Sequence, residues 1–273
     1  MKVKSLWDKI NSLKNELFLI SGPCVIESEE VCLSICDKIK KIADELGIIY
    51  VFKSSFDKAN RTSIKAFRGL GLDKGLKILE KVKKTFQIPV LTDIHESNQS
   101  EKIAEVVDII QIPALLSRQT DLIISAAKTG KIINIKKGQF MAPWDIKHAI
   151  EKATASGNDK VIITERGTCF GYNNIVVDFR SLAIIKEFGK PIIFDASHSI
   201  QLPSAKGTCS DGKAEYIAPL SRAAVAFGIN GIFIEVHENP QVALSDGSNS
   251  LKIDQLPKLL HQLISIQKVL RND

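Results

Sequence analysis

The feature that most constrains this chain is a repetition. Eight short apolar runs each end in polar residues and are each followed by a stretch with helical periodicity. The runs occupy 17–24, 48–56, 89–95, 107–114, 131–138, 161–167, 191–198 and Gly231–His237. They are continuously apolar rather than alternating, the pattern of strands covered on both faces and hence of a parallel sheet. The intervening helical stretches are Glu29–Leu46, 76–86, 103–106, 121–129, 145–155, 182–188, 218–227 and 254–270. In the first of these, Val31, Ile35, Ile39 and Ile42 recur near the helical period. Glycines at 47, 130, 157, 189 and 228 close several helices, where the left-handed conformation is tolerated.

Eight βα units without a linker or low-complexity tract predict one (β/α)8 barrel, an α/β fold, spanning 1–273 with 1–16 as an N-terminal extension. The length of 273 residues and the 44% hydrophobic content suit a single barrel of about 250 residues. An open doubly wound sheet is the alternative, but no G-x-G-x-x-G follows the first run. Loops at 168–180, 202–215 and 238–252 are long enough to be binding loops or lids.

The net charge of +6 suits anionic small substrates. Lysines such as Lys38, Lys40, Lys41, Lys81, Lys83 and Lys84 read as solvated helix faces without an aromatic platform, so no nucleic-acid partner is expected. No apolar run reaches the ~18 residues of a membrane span, and the first residues carry no secretory core. The expectation is therefore a cytoplasmic protein with no membrane partner. Five cysteines, at 24, 32, 36, 169 and 209, are an odd number in a long chain and argue against a disulfide framework. Cys32 and Cys36 read as core.

In such barrels the active site lies at the C-terminal ends of the strands. There the runs place Cys24; Lys53, Ser55, Asp57, Lys58, Asn60 and Arg61; Asp93 and His95; Gln111, then Arg118; Asn134, Lys136 and Lys137; Glu165 and Arg166; Asp195 and His198; Glu235 and His237. Wet strand ends account for some of these. They account poorly for Lys53, Gln111, Lys136 and Glu235, which interrupt apolar runs from within, because a buried charge is costly unless paired or liganded. Lys53, Lys58, Arg61, Arg118, Lys136 and Arg166 form a cationic set suited to phosphates and carboxylates. Cys24, His198, Glu235 and Asp246 form a second set able to hold a first-row metal. Their spacing alone leaves open whether Cys24 is a ligand or a small core residue.

Several long motifs resemble the 3-deoxy-D-manno-octulosonate 8-phosphate synthase family. They are GPCVIES at 22–28, FKSSFDKANRT at 52–62, QIPA at 111–114 with RQTD at 118–121, NIKKGQF at 134–140, ERG at 165–167 with FGY at 170–172, and DASHS at 195–199. The resemblance runs from about residue 17 to the C-terminus. It implies condensation of phosphoenolpyruvate with D-arabinose 5-phosphate and water, releasing phosphate, in the supply of an inner sugar of lipopolysaccharide, by a homotetramer. It assigns Lys53, Ser55, Lys58, Gln111, Lys136 and Arg166 to phosphoenolpyruvate. Asn60, Arg61 and Thr62 fall to the sugar phosphate, with Arg118 reaching it from a neighbouring subunit. His198, Asp93, His95, Asp246 and Lys136 are implied to handle protons or charge. Cys24 and the Ser245-Asp246-Gly247 sequence resemble the metal-dependent branch. That branch implies a divalent ion (Fe, Zn or Mn) on Cys24, His198, Glu235 and Asp246. Departures are small: Ser197 where Thr is frequent, 115–117 less aromatic, and no glycine-rich run within 204–213. Three other readings stay in view. They are the sister heptulosonate synthase using erythrose 4-phosphate, a Schiff-base aldolase built on Lys53 or Lys136, and a non-catalytic sugar-phosphate binder.

Overall fold

The computed structural model describes residues 4–13, 16–205 and 210–270. Eight parallel strands close into a barrel: β1 Phe18–Gly22, β2 Ile49–Lys53, β3 Val90–Asp93, β4 Ile109–Ile112, β5 Ile132–Lys136, β6 Val161–Glu165, β7 Ile192–Asp195 and β8 Gly231–His237. Each pairs with its sequence neighbour, and β1 closes the ring on β8 in a register that sets Phe18 beside Gly231 and Gly22 beside Glu235. The small residue at 231 follows from this register, since a Cβ there would stand 2.6 Å from the Phe18 ring. This is the (β/α)8 barrel that the repetition predicts.

Helices α1 Leu6–Asn11, α2 Glu29–Leu46, α3 Leu72–Phe86, α4 Ser100–Ala104, α5 Thr120–Lys128, α6 Ile146–Ala155, α7 Arg180–Lys186, α8 Ile217–Phe227 and α9 Leu256–Leu270 complete the fold. α2 shows how the local sequence sets an element. Ser28 accepts a hydrogen bond from the Val31 amide at its start, Cys32, Ile35, Cys36, Ile39 and Ala43 face the strands, and Gly47 at φ 66° ends it. α1 lies in the expected N-terminal extension. Ile10, together with Leu13 just beyond the helix, packs into the cluster that fills the barrel interior, so the segment closes the N-terminal mouth. The largest differences from the predicted helices are at two helix starts, at 72 rather than 76 and at 100 rather than 103. Gly75 disguises the first, and a 3-10 turn at Ser97–Gln99 leads into the second.

Strand geometry decides where the site forms. Successive side chains alternate between faces, so every second residue points to the barrel axis. Phe18, Ile20, Val51, Leu91, Ile109, Ile132, Ile162, Ile193 and Phe233 form the axial core. The next inward positions toward the C-terminal end are Lys53, Asp93, Gln111, Asn134 then Lys136, Thr164, Asp195 and Glu235. The outward residues form the larger cluster beneath the helices, with Cys32 and Cys36 in it as expected. Among the described residues the long loops carry short pairings: Thr168–Cys169 with Ile175–Val176, Gln201–Leu202 with Asp211–Gly212, and Leu251–Lys252 along β8. Part of the 202–215 loop, including Cys209, lies outside the described residues.

Candidate functional site

Above the axial core opens a cavity of about 600 Å³ at the C-terminal end of the barrel. Lys53, Lys58, Asn60, Arg61, Thr62, Asp93, His95, Gln111, Lys136, Arg166, His198 and Asp246, all singled out from the sequence, line it. Ser55 and the buried Cys24 and Glu235 lie behind this lining: Ser55 accepts a 3.5 Å contact from Lys58 Nζ, and Cys24 Sγ stands 3.3 Å from Asp246 Oδ2. Arg118 lies elsewhere. It is exposed and borders a second pocket of about 310 Å³ with Phe140, His148 and Lys152. Within one chain it does not join the cavity lining.

The four candidate ligands converge. Donor atoms of Cys24, Glu235 and Asp246 all lie within 4.8 Å of one another. His198 Nε2 is 3.7 Å from Glu235 Oε1 and 3.8 Å from Asp246 Oδ2. Asp195 prepares this histidine. His198 Nδ1 is 2.7 Å from Asp195 Oδ2, and His198 N donates to the other oxygen at 2.9 Å. Burial works against the Asp195 charge, but His198 and Lys136 outweigh it and hold the carboxyl well below the usual carboxylate range. An ionised Asp195 can only accept, so Nδ1 carries the proton and Nε2 faces Glu235 and Asp246. The set has the chemistry of a metal centre: one thiol, one imidazole and two carboxylates. Glu235 Oε2 is buried and has no hydrogen-bond partner among the described residues. Burial pushes the Cys24 thiol far above its ordinary value, reinforced by Asp246 and Glu235, so a cation binding there displaces a proton. The residues present fit a divalent ion.

The cationic set is held as tightly. Lys53, 1% exposed, donates to Glu235 Oε1 at 2.6 Å and to the Cys24 carbonyl at 2.9 Å. Lys136 donates to Asp195 Oδ2 at 2.5 Å. Burial lowers its pKa, with Asp195 opposing. Burial also disfavours the charge on Lys58, but Cys24, Glu235, Asp93 and Asp246 raise it above the ordinary lysine value. Arg166 donates through Nη2 to Gln201 Oε1 at 3.0 Å, while its buried Nη1 has no partner among the described residues. Such a group calls for an acceptor, and an anionic one makes the stronger, charge-assisted bond. Gln111 accepts from Asn134 Nδ2 at 3.0 Å, and Asn134 in turn accepts from Thr164 at 2.7 Å, which fixes the Gln111 carbonyl. His95 Nε2 is 3.3 Å from Asp93 Oδ2, and burial of Asp93 is outweighed by His95, Lys58 and Lys53, which keep it ionised.

Arg61 ties the two sets together. Its Nε donates to the Phe67 carbonyl and its Nη2 to the Leu244 carbonyl, both at 3.2 Å, and its Nη1 stands 4.0 Å from Asp246 Oδ1. Asp246 itself sits at φ 49° in the left-handed region, a strained setting for a non-glycine residue. Sequence reasoning passed over Gln201, Ser204 and Ser210, which complete the cavity wall from the 202–215 side. It also placed Asp195 on the rim without a role. Nothing in their spacing separates them from ordinary loop polarity. The polar partner of an already suspected histidine is the signal that would have found Asp195.

A closed barrel with a buried cluster of side chains able to hold a metal beside several cations at its C-terminal end defines an enzyme of the (β/α)8 class acting on a small, multiply anionic substrate. The chain belongs to the DAHP synthetase I family, whose model matches residues 4–272. Among its curated relatives is the 2-dehydro-3-deoxyphosphooctonate aldolase of Trichlorobacter lovleyi, 56% identical over 255 residues, 93% of this chain and 94% of the relative. Proteins of the same name from a Cyanothece species and from Nitrosococcus oceani are 55% and 52% identical, over 92% and 96% of this chain and 92% and 93% of theirs.

Proposed function

We propose that this enzyme condenses phosphoenolpyruvate with D-arabinose 5-phosphate and water to give 3-deoxy-D-manno-octulosonate 8-phosphate and inorganic phosphate, in lipopolysaccharide biosynthesis. The observation that carries the reading is the cavity itself. Its lining joins Arg166, whose buried Nη1 has no partner among the described residues, with Lys136, Lys58, Asn60, Arg61 and Thr62. The identity of 52–56% to proteins named 2-dehydro-3-deoxyphosphooctonate aldolase supplies the substrate class.

In this reading Arg166, Lys136 and Lys58 hold the carboxylate and phosphate of phosphoenolpyruvate, and Asn60, Arg61 and Thr62 hold the sugar phosphate. Clamping both ends aligns C3 of the enol ester with the aldehyde carbon, and positioning of this kind replaces a costly encounter. The C3–C1 bond forms with the enol electrons, and the aldehyde oxygen takes a proton. Water adds at C2, and the C2–O bond to phosphate breaks to leave the ketone. Lys136 and Arg166 stabilise the leaving phosphate. His95, paired with Asp93, is the side chain placed to move protons, and His198 Nε2 can do so only when it holds no ion.

The same reading places a divalent ion, Fe, Zn or Mn, on Cys24, His198, Glu235 and Asp246, as in a metal-dependent enzyme. The chemistry such an ion supplies when bound is polarisation of the aldehyde or acidification of a water. A homotetramer is part of the reading. Its support is that Arg118, expected at a sugar phosphate, lines a second pocket with the half-exposed Phe140 and not the cavity of its own chain. Trp144, Phe170 and Tyr172 add exposed aromatic surface of the kind that interfaces cover. A cytoplasmic location accords with the described residues, where no helix is long and apolar enough to cross a membrane.

One assay tests the reaction: phosphate release from phosphoenolpyruvate with arabinose 5-phosphate and, separately, with erythrose 4-phosphate. Release with the first is expected to dominate. Equal or faster turnover of erythrose 4-phosphate would move the chain to the heptulosonate branch that the family model also covers.

A further inference from the structure

Phe233 is an axial core residue that directly adjoins the site. Its ring is fully buried, with the axial core around it and the ionised groups of the cavity floor beside it. Lys136 Nζ lies 4.0 Å from the ring centroid and Lys53 Nζ 5.5 Å from it. The His198 ring stands 5.8 Å away at 54°. One hydrocarbon side chain thus adjoins both the cationic set and the metal-ligating set.

The donor count at Lys136 shows why an aromatic ring suits this position. An ammonium carries three N–H groups. Asp195 Oδ2 accepts one of them. His198 Nδ1, at 3.4 Å, spends its own proton on Asp195 and has no lone pair to offer. Lys136 is 5% exposed and meets solvent space only at the cavity it lines. The negative face of an aromatic ring attracts a cation, and more strongly in a dry site. We propose that Phe233 is a positioning residue: its ring holds the Lys136 ammonium, and more weakly that of Lys53, at the cavity floor by cation–π attraction. The arrangement leaves Lys136 a donor for an anionic ligand. A leucine here would fill space without supplying the electrostatic surface.

The kinetic part of the test rests on the function proposed above. Phenylalanine at 233 is replaced by its 4-fluoro, 3,5-difluoro and 3,4,5-trifluoro analogues, which drain the ring face while keeping its shape. Phosphoenolpyruvate affinity is read by calorimetry, alongside KM, kcat and the unfolding temperature. Affinity is expected to fall stepwise, about tenfold across the series, at an unchanged unfolding temperature, with Phe233→Leu showing a comparable loss. Affinity that is flat across the fluorinated series, with a loss only in Phe233→Leu, would reduce Phe233 to packing. A parent enzyme that neither binds phosphoenolpyruvate nor releases phosphate would overturn the function instead. Phe233 is then judged from 13C-labelled lysine: the ε-methylene protons of Lys136 are expected upfield, returning to the ordinary position in Phe233→Leu. An ordinary position in the parent protein would overturn the assignment.

Discussion

Asp195 and His198, three residues apart after β7, share a 2.7 Å hydrogen bond that turns the imidazole Nε2 toward Glu235 and Asp246. The same carboxylate oxygen accepts from Lys136. One buried side chain therefore orients a member of the proposed metal-binding set and a member of the cationic set at once. Asp195→Asn keeps the size but has one acceptor oxygen in place of two, so it cannot accept from His198 and Lys136 and from the 197 and 198 amides at once. It is expected to weaken divalent-metal affinity by about 10–100-fold and to raise KM for phosphoenolpyruvate. Metal titration against a competing chelator, with parallel kinetics, checks both. An unchanged metal affinity would remove Asp195 from the support of the site.

Arg61→Ala is expected to weaken sugar-phosphate binding by roughly 1.5–3 kcal/mol, the range for a lost charge-assisted contact. The Leu244 carbonyl and Asp246 lose a neighbour in the same change, so metal affinity is expected to drop as well. Arg61→Lys restores the charge but not the fork that spans Phe67 and Leu244. Calorimetry with each ligand separately would expose a misassignment: undiminished affinity for arabinose 5-phosphate excludes Arg61 from that subsite.

Gly75→Ala decides between two opposed effects. Alanine in a helix ordinarily gains about 1 kcal/mol over glycine. At this position in α3, however, a Cβ would stand 2.4 Å from Phe56 Cβ and 3.2 Å from its Cα. Phe56 is 2% exposed and flanked by the loop that carries Lys58 to Thr62, so it has little room to give. Overpacking costs roughly 1–3 kcal/mol, and net destabilisation is expected. Chemical denaturation checks the sign, and a stabilised variant would show that the contact relaxes freely.

The barrel was legible because its cause is local. Eight apolar runs of strand length, each followed by a helical period, leave little else to build. The inward members of the site were legible for a related reason. Lys53, Gln111, Lys136 and Glu235 continue the inward alternation of Val51, Ile109, Asn134 and Phe233, so each stands where an apolar residue would otherwise be expected. Cys24 was ambiguous, because a buried thiol and a ligand thiol look alike in a sequence, and the proximity of Glu235 and Asp246 that supports the ligand reading is a tertiary one. The starts of α3 and α4 were misplaced because Gly75 answers to Phe56, a contact 19 positions away, and because the capping pair Glu96 and Gln99 precedes the apolar positions. Gln201 and Ser210 belong to a loop whose course depends on tertiary packing that no periodicity encodes.

The metal makes the sharpest prediction. Cys24, Glu235 and Asp246 present their donor atoms within 4.8 Å of one another, with His198 facing them, and Glu235 Oε2 lacks a hydrogen-bond partner among the described residues. Exhaustive chelation is expected to abolish turnover, and Mn2+, Fe2+ or Zn2+ to restore it. Burial holds Cys24 as a thiol in the absence of an ion, so metal uptake is expected to release a proton and to weaken as pH falls. Calorimetry in buffers of different ionisation enthalpy reads that proton directly. Cys24→Ala is expected to lose bound metal and activity together. Cys24→Asn is the more discriminating variant, since it removes the soft ligand while retaining a polar group that can hold a water near the reacting carbon. It is expected to lose tight metal binding yet keep measurable metal-free turnover. A chelated parent enzyme that runs at full rate, with no metal found by elemental analysis, would defeat the metal assignment. The cationic clamp of Lys58, Lys136 and Arg166 would then have to account for the condensation without help.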